Sequence, residues 1–202
     1  MLLASLVIRQ AKELALKLVK LALYTICALL LAIGAKIKIL APFTPVPFTL
    51  QTLFLTYIIL LLRSRAVIPV LIYVTLGIAG VPVFAFGGGI WYVFSPTFGY
   101  IIGFVVASML GRLLRTGIER PIKYVVIVVA IQLIVYVFGC LWLTLWLYMV
   151  SHVSITKAFT EAILIGVAPF ILWDLIKGYI ALGLYLSTAR IISRKYFELL
   201  DL

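Results

Sequence analysis

A chain of 202 residues that is 66% apolar and only 11% charged, with a mean hydropathy of +1.29, is not a soluble globular domain; it reads as a polytopic membrane protein. The formal net charge of +11 fits membrane topology and attraction to anionic lipid better than a nucleic-acid partner. The length accommodates about six spans of ~20 residues and leaves no room for a soluble domain, and the isolated Cys27 and Cys140 read as packing residues rather than a disulfide or metal pair.

Residues 1–20 read as a basic amphipathic helix at the cytoplasmic surface,. Its Arg9, Lys12, Glu13, Lys17 and Lys20 interrupt any cleavable signal pattern, so the spans themselves are expected to target the chain,. A first span follows at about 18–35 and ends at Gly34. Within it Ala28 and Ala32 form a small-xxx-small pair, the spacing that lets another helix approach closely; ordinary packing inside the bundle is the other reading,. Pro42, Pro45 and Pro47 then forbid a helix over 36–47 and favour a stiff extended segment,. That segment is too apolar for a solvated loop. Non-helical backbone at membrane depth survives only where it is buried or lines a cavity, which predicts a lid over a site; a proline-stiffened connector is the alternative.

A second span at about 48–62 stops at Arg63-Ser64-Arg65, and a third at about 66–79 carries Pro69 in its first turn, where a helix tolerates it,. Residues 77–100 are uncharged, aromatic-rich and contain Gly87-Gly88-Gly89, which permit positive φ and close approach of backbone to a ligand,. The Lys and Ser/Thr of a phosphate loop are missing there. A fourth span covers about 97–113, a fifth about 122–147 and a sixth about 160–188. Thirteen Lys and Arg residues fall on one side of this arrangement: the N-terminal segment, Arg63 and Arg65, the 112–123 connection with Arg112, Arg115, Arg120 and Lys123, and the tail with Arg190, Arg194 and Lys195. Only Lys36, Lys38 and Lys157 fall on the other. The positive-inside rule therefore places both termini in the cytoplasm and both irregular apolar loops outside.

The last span holds the chemistry. Asp174 and Lys177 lie inside an apolar run, where an ionisable group costs on the order of 2.5–3.5 kcal/mol and marks a functional site by default. Positions i and i+3 share a helix face, and Pro169 is expected to kink the helix just before them,. The opposing reading, that the two merely neutralise each other for insertion, does not explain why neither is an apolar residue. Catalysis is not expected. The lone His152 reads as an interfacial residue, Glu13, Glu119, Glu198 and Asp201 fall at the cytoplasmic edge or tail, and no metal-ligand spacing, carboxylate pair, nucleophile–base set or nucleotide motif appears,. An apolar pocket, open outward and floored by one carboxylate and one ammonium, has the makeup of a small-molecule site.

PFTPVPFTLQT (42–52), GIAGVPVFAFGGG with SPTFGY (77–89 and 95–100) and GVAPFILWDLIK (166–177) closely resemble three signature stretches of the BioY family. These are the biotin-binding substrate-specificity (S) components of energy-coupling factor (ECF) transporters. The resemblance implies an all-α integral membrane protein of six transmembrane helices forming one membrane domain over 1–202, multi-pass in the plasma membrane of a prokaryote. It implies capture of biotin from outside and delivery inward by toppling, with a transmembrane coupling protein and a pair of ATPase subunits as partners. It implies no cofactor and no catalysis, with biotin as the transported ligand. On the same resemblance, Asp174, Lys177, Tyr100, Gly88, Gly89, Gln51 and Phe84 contribute to biotin binding. Ala28 and Ala32 face the coupling subunit, and the 36–50 loop with Phe43, Pro45 and Pro47 is the gate.

Biotin's carboxylate suits a cation such as Lys177, and its ureido N–H groups suit acceptors such as Asp174 or loop carbonyls, with the orientation left open. Its thioether ring and chain suit Phe84, Phe86, Trp91 and Trp173. Two departures stand out: Ser95-Pro96-Thr97-Phe98-Gly99 carries a bulky ring at Phe98 where the family has glycine, which bears on substrate preference, and Arg63-Ser64-Arg65 replaces glycines at the second turn. Two other functions stay open, an S component or solitary carrier for another small carboxylate vitamin, and a non-transporting membrane subunit.

Overall fold

The computed structural model describes residues 2–114 and 120–191; Arg115, Glu119, Arg194, Lys195, Glu198 and Asp201 lie outside the described residues. The described chain is mostly helical. Helix α1 covers Leu2–Lys36, α2 Gln51–Leu62, α3 Val67–Ile78, α4 Phe98–Ser108, α5 Pro121–Ser151, α6 Ile155–Gly166 and α7 Ile171–Ile191. The one pair of strands, β1 (Lys38–Ile39) and β2 (Phe48–Thr49), is antiparallel and pairs Lys38 with Thr49.

No break separates the expected N-terminal amphipathic segment from the first span: α1 is one helix of 35 residues. Leu and Ala supply strong helix propensity throughout, and no Gly or Pro interrupts it before Gly34,. The prolines end it as expected, and the chain returns through the short hairpin. The amide of Leu50 donates to the carbonyl of Gly34 (3.1 Å), a close approach that glycine eases, since a Cβ at Gly34 would lie 3.1 Å from the backbone of Leu50 and Gln51,.

Helices α2 and α3 are 12 residues each, about 18 Å, and so reach only part way across a ~30 Å hydrocarbon core. They meet at an angle of 118° through a 3-10 turn at Arg63–Arg65. Among the described residues, α1 (from Arg9) and α5 are long and apolar enough to cross a membrane alone; counting each bent pair as one span gives up to four. The expected sixth span is also divided. Pro169 does more than kink it: α6 and α7 are separate helices, bent by 49° across residues 167–170. A break of this kind frees carbonyls, and distant side chains satisfy them. Thr44 Oγ1 donates to the Ile165 carbonyl (2.6 Å) and the Tyr100 hydroxyl to that of Gly166 (2.8 Å),.

Helix α1 packs on α2 and α3, and α5 packs on α4, α6 and α7. Ala28, expected on an outward docking face, is 4% exposed and belongs to the internal core with Leu31, Leu55 and Tyr73, while Ala32 is half-buried against it. The small pair therefore meets this chain's own helices. Ala28→Trp is expected to lower stability by about 1–3 kcal/mol through overpacking, read as a lower thermal midpoint in detergent. Leu29→Trp, at a neighbouring exposed position, leaves the midpoint unchanged; equal midpoints would return Ala28 to the surface. Cys27 and Cys140 are buried and unpaired, and His152 is exposed at the end of α5.

Candidate functional site

Asp174 stands in the first turn of α7, where a carboxylate complements the helix dipole,. Lys177 follows one turn later on the same face, its Nζ 2.5 Å from Asp174 Oδ1, with side-chain exposures of 6% for the acid and 13% for the base. A buried ion pair survives only if further hydrogen bonds replace lost hydration, and three other elements supply them. Thr52 Oγ1, in the first turn of α2, donates to Oδ1 (2.8 Å), and the Tyr136 hydroxyl, midway along α5, donates to Oδ2 (2.6 Å). Lys177 Nζ also donates to the Thr49 carbonyl on β2 (2.7 Å). The pair is thus neutral as a unit, with one of the three ammonium donors uncommitted by these bonds.

A cavity of about 50 Å³ opens over the pair. Its wall includes Pro47, Thr49, Gln51, Thr97, Tyr100 and Phe170 beside Asp174 and Lys177. Of the residues expected to bind ligand, the structure brings Asp174, Lys177, Tyr100 and Gln51 to this cavity. Gln51 is oriented by its Nε2, which donates to the Tyr73 hydroxyl (2.7 Å).

Phe84 is not among them. Its ring is fully buried, seated on Gly77 and flanked by Tyr73 and Tyr92 at centroid distances of 5.3 and 4.5 Å. Gly88 and Gly89 shape the turn rather than the wall: a Cβ at Gly88 would strike the Val81 carbonyl, and Gly89 has φ +104° and donates to the Gly77 carbonyl (2.7 Å),. Phe86, Trp91 and Trp173 are exposed and line no part of the cavity. A helix that points Asp174 inward turns its neighbour Trp173 outward.

The expected gate segment covers the cavity on one side. Val46 and Pro47 are buried in its wall, Pro45 is half-buried and Phe43 is exposed. Phe48 stacks on Phe170 at 4.2 Å. On the other side, Lys36 and Lys38 donate from their ammonium groups to the carbonyls of Phe84 (2.9 Å) and Ala85 (2.5 Å), so the two irregular loops are tied to each other.

Sequence reasoning missed Thr49, Thr52 and Tyr136. A signal existed for Tyr136: it lies one turn from Gln132 in an otherwise apolar stretch of α5, and two polar side chains on one helix face of a span point inward,. Thr52 carried no such signal, because threonines in spans commonly bond their own helix, as Thr56 does to the Thr52 carbonyl (2.8 Å),. Among the described residues no three His, Cys, Asp or Glu side chains come together as metal ligands.

The profile of the BioY family matches residues 9–194. The probable biotin transporter BioY of Pyrococcus horikoshii is 35% identical over 151 residues, covering 74% of this chain and 83% of that protein. The biotin transporter BioY of Thermotoga maritima is 35% identical over 154 residues (75% and 85%), and BioY2 of Lactococcus lactis 33% identical over 190 residues (90% and 97%). The fold is similar to a crystal structure of the S-component for biotin from an ECF-type ABC transporter, with a TM-score of 0.65 at 21% identity, over 90% of this chain and 96% of that one. With the profile matched over most of its length, the chain belongs to the BioY family.

Proposed function

We propose that the chain is the substrate-binding (S) component of a biotin uptake transporter of the ECF type, taking biotin from outside the cell. It is an integral membrane protein forming one membrane domain, multi-pass in the plasma membrane of a prokaryote. It has six spans and cytoplasmic termini, and it passes substrate inward with a coupling protein and two ATPases that supply the hydrolysis. The observation that carries this reading is the Asp174–Lys177 pair, buried under a proline-stiffened loop in a chain whose relatives are named biotin transporters. Support for the orientation comes from the ends of the molecule. The loops 37–49 and 81–89 meet at one end through Lys36 and Lys38, while the basic turn at Arg63–Arg65 packs against Met109–Leu113 elsewhere.

Asp174 offers an acceptor and Lys177 a donor to a ureido ring, which presents N–H groups beside a carbonyl. Thr52, Tyr136, Gln51 and Tyr100 join them in the proposed site. Vitamin-sized ligands occupy pockets of roughly 300 Å³ or more, so binding opens the 50 Å³ cavity, and the segment carrying Phe43, Pro45 and Pro47 is the part that moves. Of the pair proposed to face the coupling protein, Ala28 is buried in the chain's own core and Ala32 is half-buried beside it. The test is titration calorimetry of biotin into the purified, detergent-solubilised protein and into Asp174→Asn. Tight binding weakened by about 1–3 kcal/mol in the variant is expected for loss of a charged acceptor. A folded wild-type protein that takes up no biotin would sink the reading.

A further inference from the structure

Thr52, Tyr136 and Asp174 meet in one layer beneath the cavity. One turn further along the same three helices stand Thr56 on α2, Gln132 on α5 and Gly178 on α7, and none of these lines the cavity,. Thr56 is fully buried and Gln132 is 2% exposed. Gln132 Nε2 lies 3.5 Å from Thr56 Oγ1. Thr56 Oγ1 donates in turn to the Thr52 carbonyl (2.8 Å), and Thr52 Oγ1 to Asp174 (2.8 Å). Gly178 lets α7 come close, since a Cβ there would lie 2.6 Å from Val128 Cγ1 and 3.5 Å from Gln132 Nε2.

The other end of the Gln132 amide is unpaired. Its Oε1 is buried and accepts no hydrogen bond among the described residues. The groove that Gln132 borders on its far side is lined by Leu133, Val137, Ile163 and Leu175, whose side chains offer no donor. A buried acceptor without a partner is destabilising, and a polar side chain at membrane depth marks function by default. Methionine has nearly the same length and shape and would leave nothing unpaired. An amide kept in this place against stability serves something other than the fold.

Its contacts indicate what that is. The gate segment runs through β2 directly into α2, so a cavity that opens at the gate loads the first turn of α2, which carries Gln51 and Thr52. An amide can turn over and present either a donor or an acceptor to the same hydroxyl, so Gln132 can hold Thr56 in more than one arrangement. We infer that Gln132 is a positioning residue: acting through Thr56, it keeps α2 in register with α5 while ligand is taken up, so that Thr52 and Tyr136 stay on one carboxylate. The inference rests on the biotin reading and adds to it a residue outside the cavity wall.

The experiment measures thermal unfolding and calorimetric biotin titration of the whole chain in detergent, for the wild-type protein, Gln132→Met, Thr56→Val and the double variant. In Gln132→Met the thermal midpoint rises or holds, because Thr56 keeps its own bond to the Thr52 carbonyl and no new group is left unpaired. Biotin affinity nevertheless falls by about five-fold or more. Thr56→Val also weakens binding, and the double variant binds within about two-fold of the weaker single one, since both substitutions break the same link. Affinity unchanged in Gln132→Met overturns the inference. So does a midpoint that falls together with affinity, which marks a packing role, and so do losses that multiply in the double variant. Failure of the wild-type protein to bind biotin overturns instead the reading beneath it.

Discussion

Asp174→Asn and Lys177→Met are each expected to destabilise the protein by about 3–5 kcal/mol, whereas the double variant is more stable than either single one. The reasoning starts from burial: at 6% and 13% side-chain exposure, neither ion has water to fall back on once its partner is removed. Asp174→Asn leaves the Lys177 ammonium without a counter-charge, facing only neutral oxygens such as the Thr49 carbonyl. Lys177→Met leaves the Asp174 carboxylate with the hydroxyls of Thr52 and Tyr136. Removing both charges together spares the fold the uncompensated ion. Binding behaves differently, since the charged acceptor and the ammonium donor for the ligand are both gone in the double variant. Thermal unfolding in detergent, run beside biotin titration, separates the two effects. Recovery of stability without recovery of binding marks the pair as a ligand site. If the double variant binds biotin as well as the wild-type protein does, the pair serves insertion only.

Gly103→Leu is expected to destabilise the protein by about 1–3 kcal/mol or more and to weaken ligand binding with it. A Cβ at Gly103 would lie 2.8 Å from Val135 Cα and 3.2 Å from its carbonyl oxygen, and one at Gly99 would strike Trp142 and the Phe138 carbonyl. Backbone does not step aside as the tip of a side chain does, so α4 must lift from α5. Tyr100 and Tyr136, whose hydroxyls reach Gly166 and Asp174 from those two helices, would be displaced together. Gly183→Leu is the control: nothing lies within 4 Å of its Cβ position, and an open surface change stays within about 0.5 kcal/mol. Equal thermal midpoints for the two variants would show that α4 and α5 have slack at this crossing.

The two small-residue pairs show where reading the sequence reached its limit. Ala28 and Ala32 carry the spacing for close helix approach, but Ala28 is filled by the chain's own core, and close contact with another helix's backbone falls at Gly99 and Gly103. A spacing reports that a helix can come near; it does not report which helix. Phe84 failed for a related reason: an amphipathic segment shows its inner face through alternation of apolar and polar residues, whereas the uncharged, aromatic-rich loop around Phe84 carries no such pattern; the outward position of Trp173 was legible from its neighbour Asp174,.

What the sequence by itself determined were properties of neighbours along the chain: the long apolar helices, the halts at Pro42–Pro47 and Pro169, and Asp174 and Lys177 on one face, which the helical period alone dictates,. Only the tertiary structure decided what surrounds that pair. Thr52 reaches Asp174 across 122 positions and Tyr136 across 38, and the rotation of α2 and α5 that aims them inward is set by packing and by the cost of leaving a buried charge unpaired, neither of which is written in local hydropathy.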